Sequence, residues 1–254
     1  MAVAQGRNAP AKQGFFRDLL IEGGAKVIQS LERIVGLGSR IGNTEFYDAA
    51  MFPWARPLEA NWLQIRAELE HVLRKPEAIP AFHEISKDQV KITNDDDWKT
   101  YFFYAFGFRA EDNCHACPET ARLIEGVPGL QTAFFSILSP GKHIPPHRGA
   151  FKGLLRYHLG LIVPEPNDNV RIRVGQKYGH WHEGESLIFD DTYQHEVWND
   201  TQETRVVLFL DVMRPLRFPV NLLNAAVIGL IKRSPFVKDG ISNYEAWQAK
   251  LDRP

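Results

Sequence analysis

Cysteine is nearly absent from this chain of 254 residues, in which Cys114 and Cys117 are the only two. Two thiols cannot form the set of disulfides that holds a small secreted domain together, so a reducing compartment is favoured. No apolar run reaches the roughly 18 residues that a membrane-spanning helix needs. Residues 1–14 also have no apolar run behind a basic start, so no secretory leader is expected. The sequence therefore predicts a cytoplasmic protein without a transmembrane helix.

An excess of charge of either sign is also missing. Lysine and arginine number 30 and aspartate and glutamate 31, which gives a net charge of −1. Without a basic surplus, no nucleic-acid partner is predicted. Cys114 and Cys117 have CxxC spacing, but a second CxxC motif and a thioredoxin-like context do not occur. Neither a zinc site nor a redox pair is therefore predicted at these cysteines.

Hydrophobic patterning divides the chain into three segments. In residues 1–42, apolar side chains recur at near-helical spacing over 15–35, which predicts an amphipathic helix. Residues 43–215 hold the predicted main domain. Residues 216–254 form a predicted helical extension, in which the apolar stretch 219–231 has basic residues on both sides. That stretch is too short to cross a bilayer, and two interpretations stay open: it packs on the main domain, or it lies in a membrane interface.

Short β-branched and aromatic runs alternate with turn-forming clusters between residues 130 and 212. LQTAFFSIL, VRIRV and RVVLFLDV are such runs, and SPGKHIPP, PEPNDN and GQKYGH are such clusters. Many short strands with glycine- and proline-rich turns are typical of an antiparallel sandwich or barrel. A helix is predicted over 58–73 and a strand over 98–108. The predicted fold class is mainly β with flanking helices.

Charged side chains fall on one face of two predicted strands. In LLRYHLGLIV, Arg156 and His158 alternate with leucine and tyrosine. In RVVLFLDV, Arg205 is in phase with Val207 and Phe209, and both faces are apolar over residues 206–210, which is typical of a central strand. A guanidinium that enters a barrel needs an anion, and a carboxylate can pair with it through two hydrogen bonds. That anion could be a bound ligand or an Asp or Glu of the protein.

Six of the nine histidines lie between His143 and His195. Imidazole suits iron and zinc, and two histidines with one carboxylate and open positions are typical of non-haem iron(II) oxygenases. The first half of an H-x-D/E motif occurs as His147-Arg148-Gly149, with glycine in place of the acid, and His195 follows later. One such fragment means little by itself. The ordered series of histidine, Arg/His strand, second histidine and arginine predicts a metal site.

Four ordered segments resemble a known family. They are SPGKHIPPHRG (139–149), LRYHLGLIVP (155–164), WHEGESLIFDDTYQHEVWN (181–199) and RVVLFLDVMRP (205–215). Together they resemble the aspartyl/asparaginyl β-hydroxylases, a family that includes bacterial hydroxylases of lipid A and ornithine-lipid acyl chains. Residues 43–69 resemble the family's region ahead of these motifs. The resemblance implies a double-stranded β-helix, a jelly-roll or cupin-like barrel. It also implies a dioxygenase that uses iron(II), 2-oxoglutarate and O2.

The resemblance implies roles for the residues at the metal. His147 and His195 would bind iron, and Gly149 stands where related oxygenases have an acidic ligand. Asp191 would hold a water at the position left without that ligand. A gap of this kind could instead admit chloride and allow halogenation, but the charge of Asp191 argues against an anion there.

The resemblance also implies how the cosubstrate is bound. Ser136 and Arg205 would bind the distal carboxylate of 2-oxoglutarate. Arg156 and His158 would lie near the end that chelates the metal, in agreement with the strand phase described above.

The substrate remains open from the sequence. Flanking amphipathic helices favour a membrane-lipid acyl chain, reached by a protein docked on the inner face of a membrane. The name-giving members of the family favour the β-carbon of Asp or Asn, in a peptide or a free amino acid. Two other functions compete with hydroxylation: a non-catalytic cupin-like binding module, and a metal hydrolase that uses the same histidines. The sequence predicts no oligomeric state.

Overall fold

Eleven strands lie in the part of the chain that the computed structural model describes, residues 31–86 and 92–251. Their bounds are β1 Phe46–Tyr47, β2 Trp98–Ala105, β3 Phe108–Arg109, β4 Leu130–Leu138, β5 His143–His147, β6 Leu154–Ile162, β7 Val170–Val174, β8 Lys177–His180, β9 Ser186–Phe189, β10 His195–Asn199 and β11 Arg205–Met213. All the strand pairs are antiparallel.

Helices flank the strands. Residues 31–38 form α1, and the rest of the predicted helix over 15–35 lies outside the described residues. The others are α2 Ala55–Ala60, α3 Trp62–Val72, α4 Phe82–Ile85, α5 Glu111–Ala116, α6 Pro118–Glu125, α7 Val220–Lys232 and α8 Pro235–Leu251. The helix predicted over 58–73 is two helices, because Asn61 has a non-helical backbone and its side chain donates to the carbonyl of Pro57 at 2.7 Å.

Strands β4 to β11 form the predicted double-stranded β-helix. Seven strands form one sheet in the order β1-β9-β6-β11-β4-β2-β3, and four form the other in the order β5-β10-β7-β8. Along the chain, successive strands from β4 to β7 alternate between the sheets, and so do those from β8 to β11. This is the strand order of an eight-stranded jelly roll, to which β1, β2 and β3 add edges. The predicted fold class is confirmed.

The larger sheet is buried on both faces, and its two faces differ in chemistry. Leu155, Leu159 and Leu208 pack in a cluster with side chains of α2, α3 and α6. Val207 packs on the opposite face, in a second cluster that includes Ile172 of the smaller sheet. Because side chains alternate along a strand, Arg156, His158 and Arg205 also point between the sheets. The strand phase read from the sequence is confirmed.

Two strands of the smaller sheet were not predicted, since HIPPH and KYGH were assigned to turns. β5 and β8 are the two edges of that sheet. Proline lacks an amide donor, so a strand with two prolines is tolerated at an edge, where one side needs no ladder hydrogen bonds. A single sequence does not show which strands will lie at edges, so the two prolines of β5 predicted a turn.

The C-terminal extension packs against the barrel through one side of each helix. From α7, Val227 and Ile228 join a cluster with Val35 of α1 and Phe151. From α8, Tyr244 joins a cluster that contains phenylalanines of β2, β4 and β11. Among the described residues, no helix is long and apolar enough to cross a membrane.

Candidate functional site

A β-bulge turns His147 into the barrel. Across β5 and β10, Ile144 lies opposite Val197. His147 lies opposite His195, so three steps along β5 match two along β10. Because side chains alternate along a strand, the extra residue in the proline pair gives His147 the same inward direction as buried Ile144. The ring centroids of His147 and His195 are 4.1 Å apart, so the structure brings the two predicted metal ligands together.

Both imidazoles are oriented by the same type of hydrogen bond. Nδ1 of His147 donates to the carbonyl of Pro145 at 2.8 Å, and Nδ1 of His195 donates to the carbonyl of Tyr193 at 3.0 Å. A carbonyl only accepts, so each Nε2 keeps a lone pair that can bind a metal. Burial lowers the pKa of His147 to about 4 and holds the pKa of His195 well below its usual range. Both rings are therefore neutral near pH 7, the form that binds metals.

The carboxylate of Asp191 fills the space beside Gly149. A Cβ atom at residue 149 would overlap both carboxylate oxygens of Asp191. The amide of Gly149 also donates to the main-chain carbonyl of Asp191 at 2.7 Å. Within residues 31–86 and 92–251, no group of three His, Cys, Asp or Glu side chains is placed to share a metal ion. The histidine pair is thus the candidate metal-binding group, with a buried acid next to the glycine that follows it.

Arg156 connects Asp191 to the opposite strand. Its Nη2 lies 2.9 Å from Oδ2 of Asp191, and its Nε donates to Oδ1 of Asp211 at 3.1 Å. Arg156 and Asp211 are direct neighbours across β6 and β11. Burial raises the pKa of Asp191 to about 6, and the charge of Arg156 opposes that rise. The guanidinium is therefore held by two carboxylates of the protein.

Arg205 lies at the other end of the space between the two sheets and has no acidic partner in the described chain. The residue is 1% exposed, and its Nε and Nη1 have no hydrogen-bond partner. Its guanidinium carbon lies 4.6 Å from the ring centroid of Trp181. Burial alone lowers the pKa of Arg205 to about 9. Because arginine keeps its charge in proteins, this buried cation requires an anion. Of the two anions that the sequence allowed, an acidic side chain and a bound ligand, the ligand remains.

Other unpaired polar atoms lie between these two ends. Both ring nitrogens of His158, Nε1 of Trp181 and Oγ1 of Thr100 are buried without a hydrogen-bond partner in the described chain. The ring of His158 lies 5.8 Å from that of Trp181 and 5.2 Å from that of Phe189. Phe189 in turn lies 5.8 Å from His195. The metal end and the arginine end are thus parts of one site.

Ser136 is the remaining predicted residue of the site. It lies opposite Thr100 on one neighbouring strand and Val207 on the other. Its Oγ accepts a hydrogen bond of 3.0 Å from Nε1 of Trp98, which leaves its own proton free to donate. An unmet buried polar group costs roughly 1–3 kcal/mol. Several such groups around one arginine fit a carboxylate-bearing ligand that would satisfy them together.

Sequence reasoning missed two residues of this site. Trp181 follows the turn cluster GQKYGH and was assigned no role, but it is buried against Arg205. Asp211 was assigned no role from the sequence. Its position could have been noticed, because an acidic residue inside the apolar run RVVLFLDV is a buried charge that needs a partner. For Trp181, the signal was a large aromatic residue between two turn histidines.

Residues outside the site have ordinary structural surroundings. His143 stacks on Trp198 with ring centroids 5.1 Å apart, on the outer side of the smaller sheet, and its Nε2 lies 3.2 Å from Glu196. Cys114 and Cys117 are buried, and burial raises the pKa of both thiols, that of Cys117 to about 12. Buried thiols with raised pKa values are poor nucleophiles and poor metal ligands.

Comparison with protein families and curated proteins gives consistent matches. The family model described as aspartyl/asparaginyl beta-hydroxylase matches residues 59–215. The ornithine lipid ester-linked acyl 2-hydroxylase of Rhizobium tropici is 50% identical over 213 residues, which cover 84% of this chain and 76% of that protein. The aspartyl/asparaginyl beta-hydroxylase of Homo sapiens is 33% identical over 165 residues, which cover 63% of this chain but 21% of the human protein.

Solved structures give weaker matches. A Pseudomonas putida prolyl-4-hydroxylase has a TM-score of 0.40 and 17% identity, and the match covers 75% of this chain and 98% of that chain. A Thermotoga maritima protein described as a predicted oxalate decarboxylase has a TM-score of 0.31 and 11% identity, with 46% and 80% covered. The assignment of the fold rests on the strand order given above.

Proposed function

Because the chain belongs to the aspartyl/asparaginyl β-hydroxylase family, we propose that it is an iron(II)- and 2-oxoglutarate-dependent hydroxylase. One observation carries the proposal. A neutral, backbone-oriented histidine pair and an unpaired buried arginine face the same space inside one barrel. A metal and an organic anion bound together would use both features.

The side chains at the metal end fit iron(II). His147 and His195 would hold the ion through Nε2, since Nδ1 of each is already occupied. Two protein ligands leave several coordination positions for other groups, as an iron oxygenase needs. Asp191 would accept a hydrogen bond from a water held by the ion, and Arg156 holds Asp191 in place.

The other end fits the distal carboxylate of 2-oxoglutarate. Arg205 would donate to that carboxylate, with Ser136 and Thr100 as further donors on the neighbouring strands. His158 lies between the two ends and has free ring nitrogens for the middle of the ligand. Binding would give the buried guanidinium of Arg205 the carboxylate partner that it lacks in the described chain. The energy gained there would orient the cosubstrate toward the metal.

Iron(II) would supply the oxidation of an unactivated C–H bond by dioxygen. In the net reaction, 2-oxoglutarate loses CO2 and becomes succinate, one oxygen atom enters succinate, and the other enters the C–H bond. The protein's part is to hold both reactants and to keep bulk water away. The buried rings of Phe189, Trp181 and Phe209 serve that second purpose.

Three competing functions make different use of the same residues. Halogenation would need room for chloride beside Gly149, and the carboxylate of Asp191 occupies that space. A metal hydrolase could use His147 and His195 but has no need for an unpaired Arg205. A cupin-like binding module could hold an anion without chemistry. Neither of the last two would form succinate or depend on 2-oxoglutarate.

For the substrate we propose an acyl chain of a membrane lipid rather than an Asp or Asn side chain. In support, the Rhizobium protein whose name specifies lipid acyl 2-hydroxylation is 50% identical and matches this chain over 84% of its length. The human protein named for aspartyl and asparaginyl hydroxylation is 33% identical over 63%.

The test measures succinate from 2-oxoglutarate in the presence of iron(II) and oxygen. Three arms are compared: no substrate, vesicles containing ornithine lipid, and an Asp-containing peptide. We expect slow succinate formation alone, faster formation with the lipid, and a lipid product that has gained one oxygen atom. His195→Ala should form none, and the matched control His182→Ala, an exposed histidine, should behave as wild type. Faster turnover with the peptide instead would refute the lipid assignment, and no succinate in any arm would refute the enzyme assignment.

A further inference from the structure

Four large apolar side chains are exposed at the C-terminal end of α1, just before α7 and along α7. The exposed fractions are 77% for Leu37, 75% for Phe218, 59% for Leu222 and 69% for Leu230. Single exposed apolar residues are common on soluble proteins, but contiguous ones mark a contact with a partner or a membrane.

The chain segments that carry these side chains are held side by side. The amide of Arg217 donates to the carbonyl of Gly38 at 2.9 Å, and the amide of Arg40 donates to the carbonyl of Pro215 at 3.0 Å. The approach is close, because a Cβ atom at Gly38 would overlap the side chain of Val220. Leu37, which precedes Gly38, therefore lies next to the residues that lead into α7.

Helix α7 is apolar on its outer side as well as its inner side. Asn224, Val227 and Ile228 are its buried positions. Leu222 and Leu230 are exposed, and the outer positions between them include two alanines. The sequence of α7, VNLLNAAVIGLIK, contains no acidic residue. Packing on the barrel, the first interpretation of residues 219–231, explains the inner side only and leaves Leu222 and Leu230 exposed on the outer side.

Basic side chains surround this apolar surface. Arg33, Arg40, Arg217 and Arg233 are exposed, and within residues 31–86 and 92–251 none of them forms a salt bridge with a carboxylate. Glu32, the acidic residue of α1, is paired with Arg148 at 2.9 Å. An apolar centre with an unneutralised basic rim complements a bilayer that carries anionic headgroups.

The inner side of the same surface holds the segment that leads away from the metal site. Arg148 directly follows His147 and is the partner of Glu32 in α1. Phe151 packs in one cluster with Val35, Val227 and other residues of α1 and α7. The side chain of Asn224 donates to the carbonyl of Gly153 at 3.0 Å. The elements that carry the exposed surface are therefore the ones that fix residues 148–153 beside the site.

We propose that this surface docks on a bilayer containing anionic phospholipid. We call it the docking face and define it by Leu37, Phe218, Leu222, Leu230, Arg40 and Arg217. Its apolar side chains enter the headgroup region, and its arginines contact lipid phosphates. Docking in this orientation places residues 148–153 and the adjoining site near the lipid surface. The presentation of the site to an acyl chain rests on the proposed function, but the docking itself does not.

The test is flotation of the full chain with phosphatidylcholine vesicles, with or without phosphatidylglycerol. We expect wild type to float with the anionic vesicles and hardly with the neutral ones. Arg40→Gln/Arg217→Gln should bind the anionic vesicles about thirtyfold more weakly, about fivefold per basic residue. Phe218→Ser/Leu222→Asn should bind roughly tenfold or more weakly, because two apolar side chains no longer enter the headgroup region.

Matched controls change the same residue types elsewhere on the surface. Arg74→Gln/Lys75→Gln removes two exposed charges near the end of α3, and Met51→Ser/Leu63→Asn removes two exposed apolar side chains. Both controls should float as wild type does. Succinate formation without lipid should be equal in all these proteins, so a failure of the proposed function shows in that assay and a failure of docking shows in flotation.

Several results would overturn the docking proposal. If wild type does not float with anionic vesicles, or if it floats equally well with neutral ones, anionic phospholipid is not the partner. The docking-face variants could float as wild type does, which places the contact elsewhere in the chain. Light scattering could show a dimer that Phe218→Ser/Leu222→Asn dissociates, which assigns the face to a second copy of the chain.

Discussion

Gly149 leaves room for the carboxylate of Asp191, which lies where a side chain at residue 149 would be. We predict that Gly149→Asp alone destabilises the protein, because the new side chain overlaps the carboxylate of Asp191. The double variant Gly149→Asp/Asp191→Gly removes that overlap and moves the carboxylate by one place. We expect it to fold better than Gly149→Asp and to bind a divalent metal more tightly than Asp191→Gly. Urea denaturation and metal titration measure the two effects, and equal stability of the single and double variants would contradict the overlap.

Arg205 should affect stability and binding in opposite directions. In Arg205→Met, a buried charge without a carboxylate partner is replaced by an apolar side chain. We expect the free energy of unfolding without ligand to rise by about 2 kcal/mol. Affinity for 2-oxoglutarate should fall by about thirtyfold or more, because the cosubstrate loses its charged partner. Calorimetric titration and urea denaturation test both, and normal cosubstrate binding by Arg205→Met would show that the assigned role is wrong.

His147 should make the metal-free protein less stable in acid. Burial lowers its pKa to about 4, whereas the unfolded chain takes up a proton near 6.5. Between those values the unfolded state binds more protons, so the stability that depends on neutral His147 is full above pH 6.5 and is lost as pH falls to 4. The difference of 2.5 pKa units corresponds to about 3 kcal/mol.

The variant His147→Gln removes that titration. The free energy of unfolding of wild type minus that of the variant should therefore fall by about 3 kcal/mol between pH 7 and pH 4. Urea denaturation across this range without metal gives the difference. His182→Gln, which changes an exposed histidine, is the control. A constant difference across the range would mean that His147 is accessible to water.

At the scale of strands, the pairing of β6 with β11 positions Asp191 beside the candidate metal-binding histidines. Asp211 on β11 holds Arg156 on β6, and Arg156 holds Asp191. We predict that Asp211→Asn weakens metal binding by about tenfold or more, although it contacts no metal ligand. Asp200→Asn, which breaks the surface pair of Asp200 with Arg171 at 2.8 Å, is the matched control. Equal metal affinity in the two variants would leave Asp211 with a purely structural role.

The strands that sequence could predict are the ones whose patterning is local. LQTAFFSIL, VRIRV and RVVLFLDV lie in β4, β7 and β11, because runs rich in β-branched and aromatic residues favour extended structure wherever they pair. HIPPH could not be recognised as β5, since its two prolines are tolerated only at an edge and edges depend on the order of the whole sheet.

Part of the site depends on the same long-range order. The family resemblance singled out His147, His195 and Arg205, and the structure places them around one space. The bulge that turns His147 inward depends on its register with β10. The burial of Trp181 under Arg205 depends on the meeting of two sheets. Neither is encoded in a window of neighbouring residues, which is why Trp181 was missed, whereas the acidic residue within RVVLFLDV was a local signal for Asp211.

At the scale of the whole molecule, the barrel and its helices share their packing. Phe151, between two barrel strands, packs with Val35 of α1 and Ile228 of α7. Tyr244 of α8 packs with Phe102 and other rings of the barrel. The segments predicted as 43–215 and 216–254 therefore support each other in the described chain. If the docking face binds a bilayer as proposed, this shared packing sets the orientation of the site relative to the bilayer.

The proposed function requires that His147 and His195 bind one iron(II) ion and that Arg205 holds 2-oxoglutarate beside it. Anaerobic calorimetric titration with iron(II), with and without 2-oxoglutarate, tests this most directly. Wild type should bind one ion per chain, His147→Ala and His195→Ala should bind none at that site, and His180→Ala should bind normally. With 2-oxoglutarate present, wild type should bind iron more tightly and Arg205→Met should not. Unchanged iron binding by the His147 and His195 variants would contradict the account.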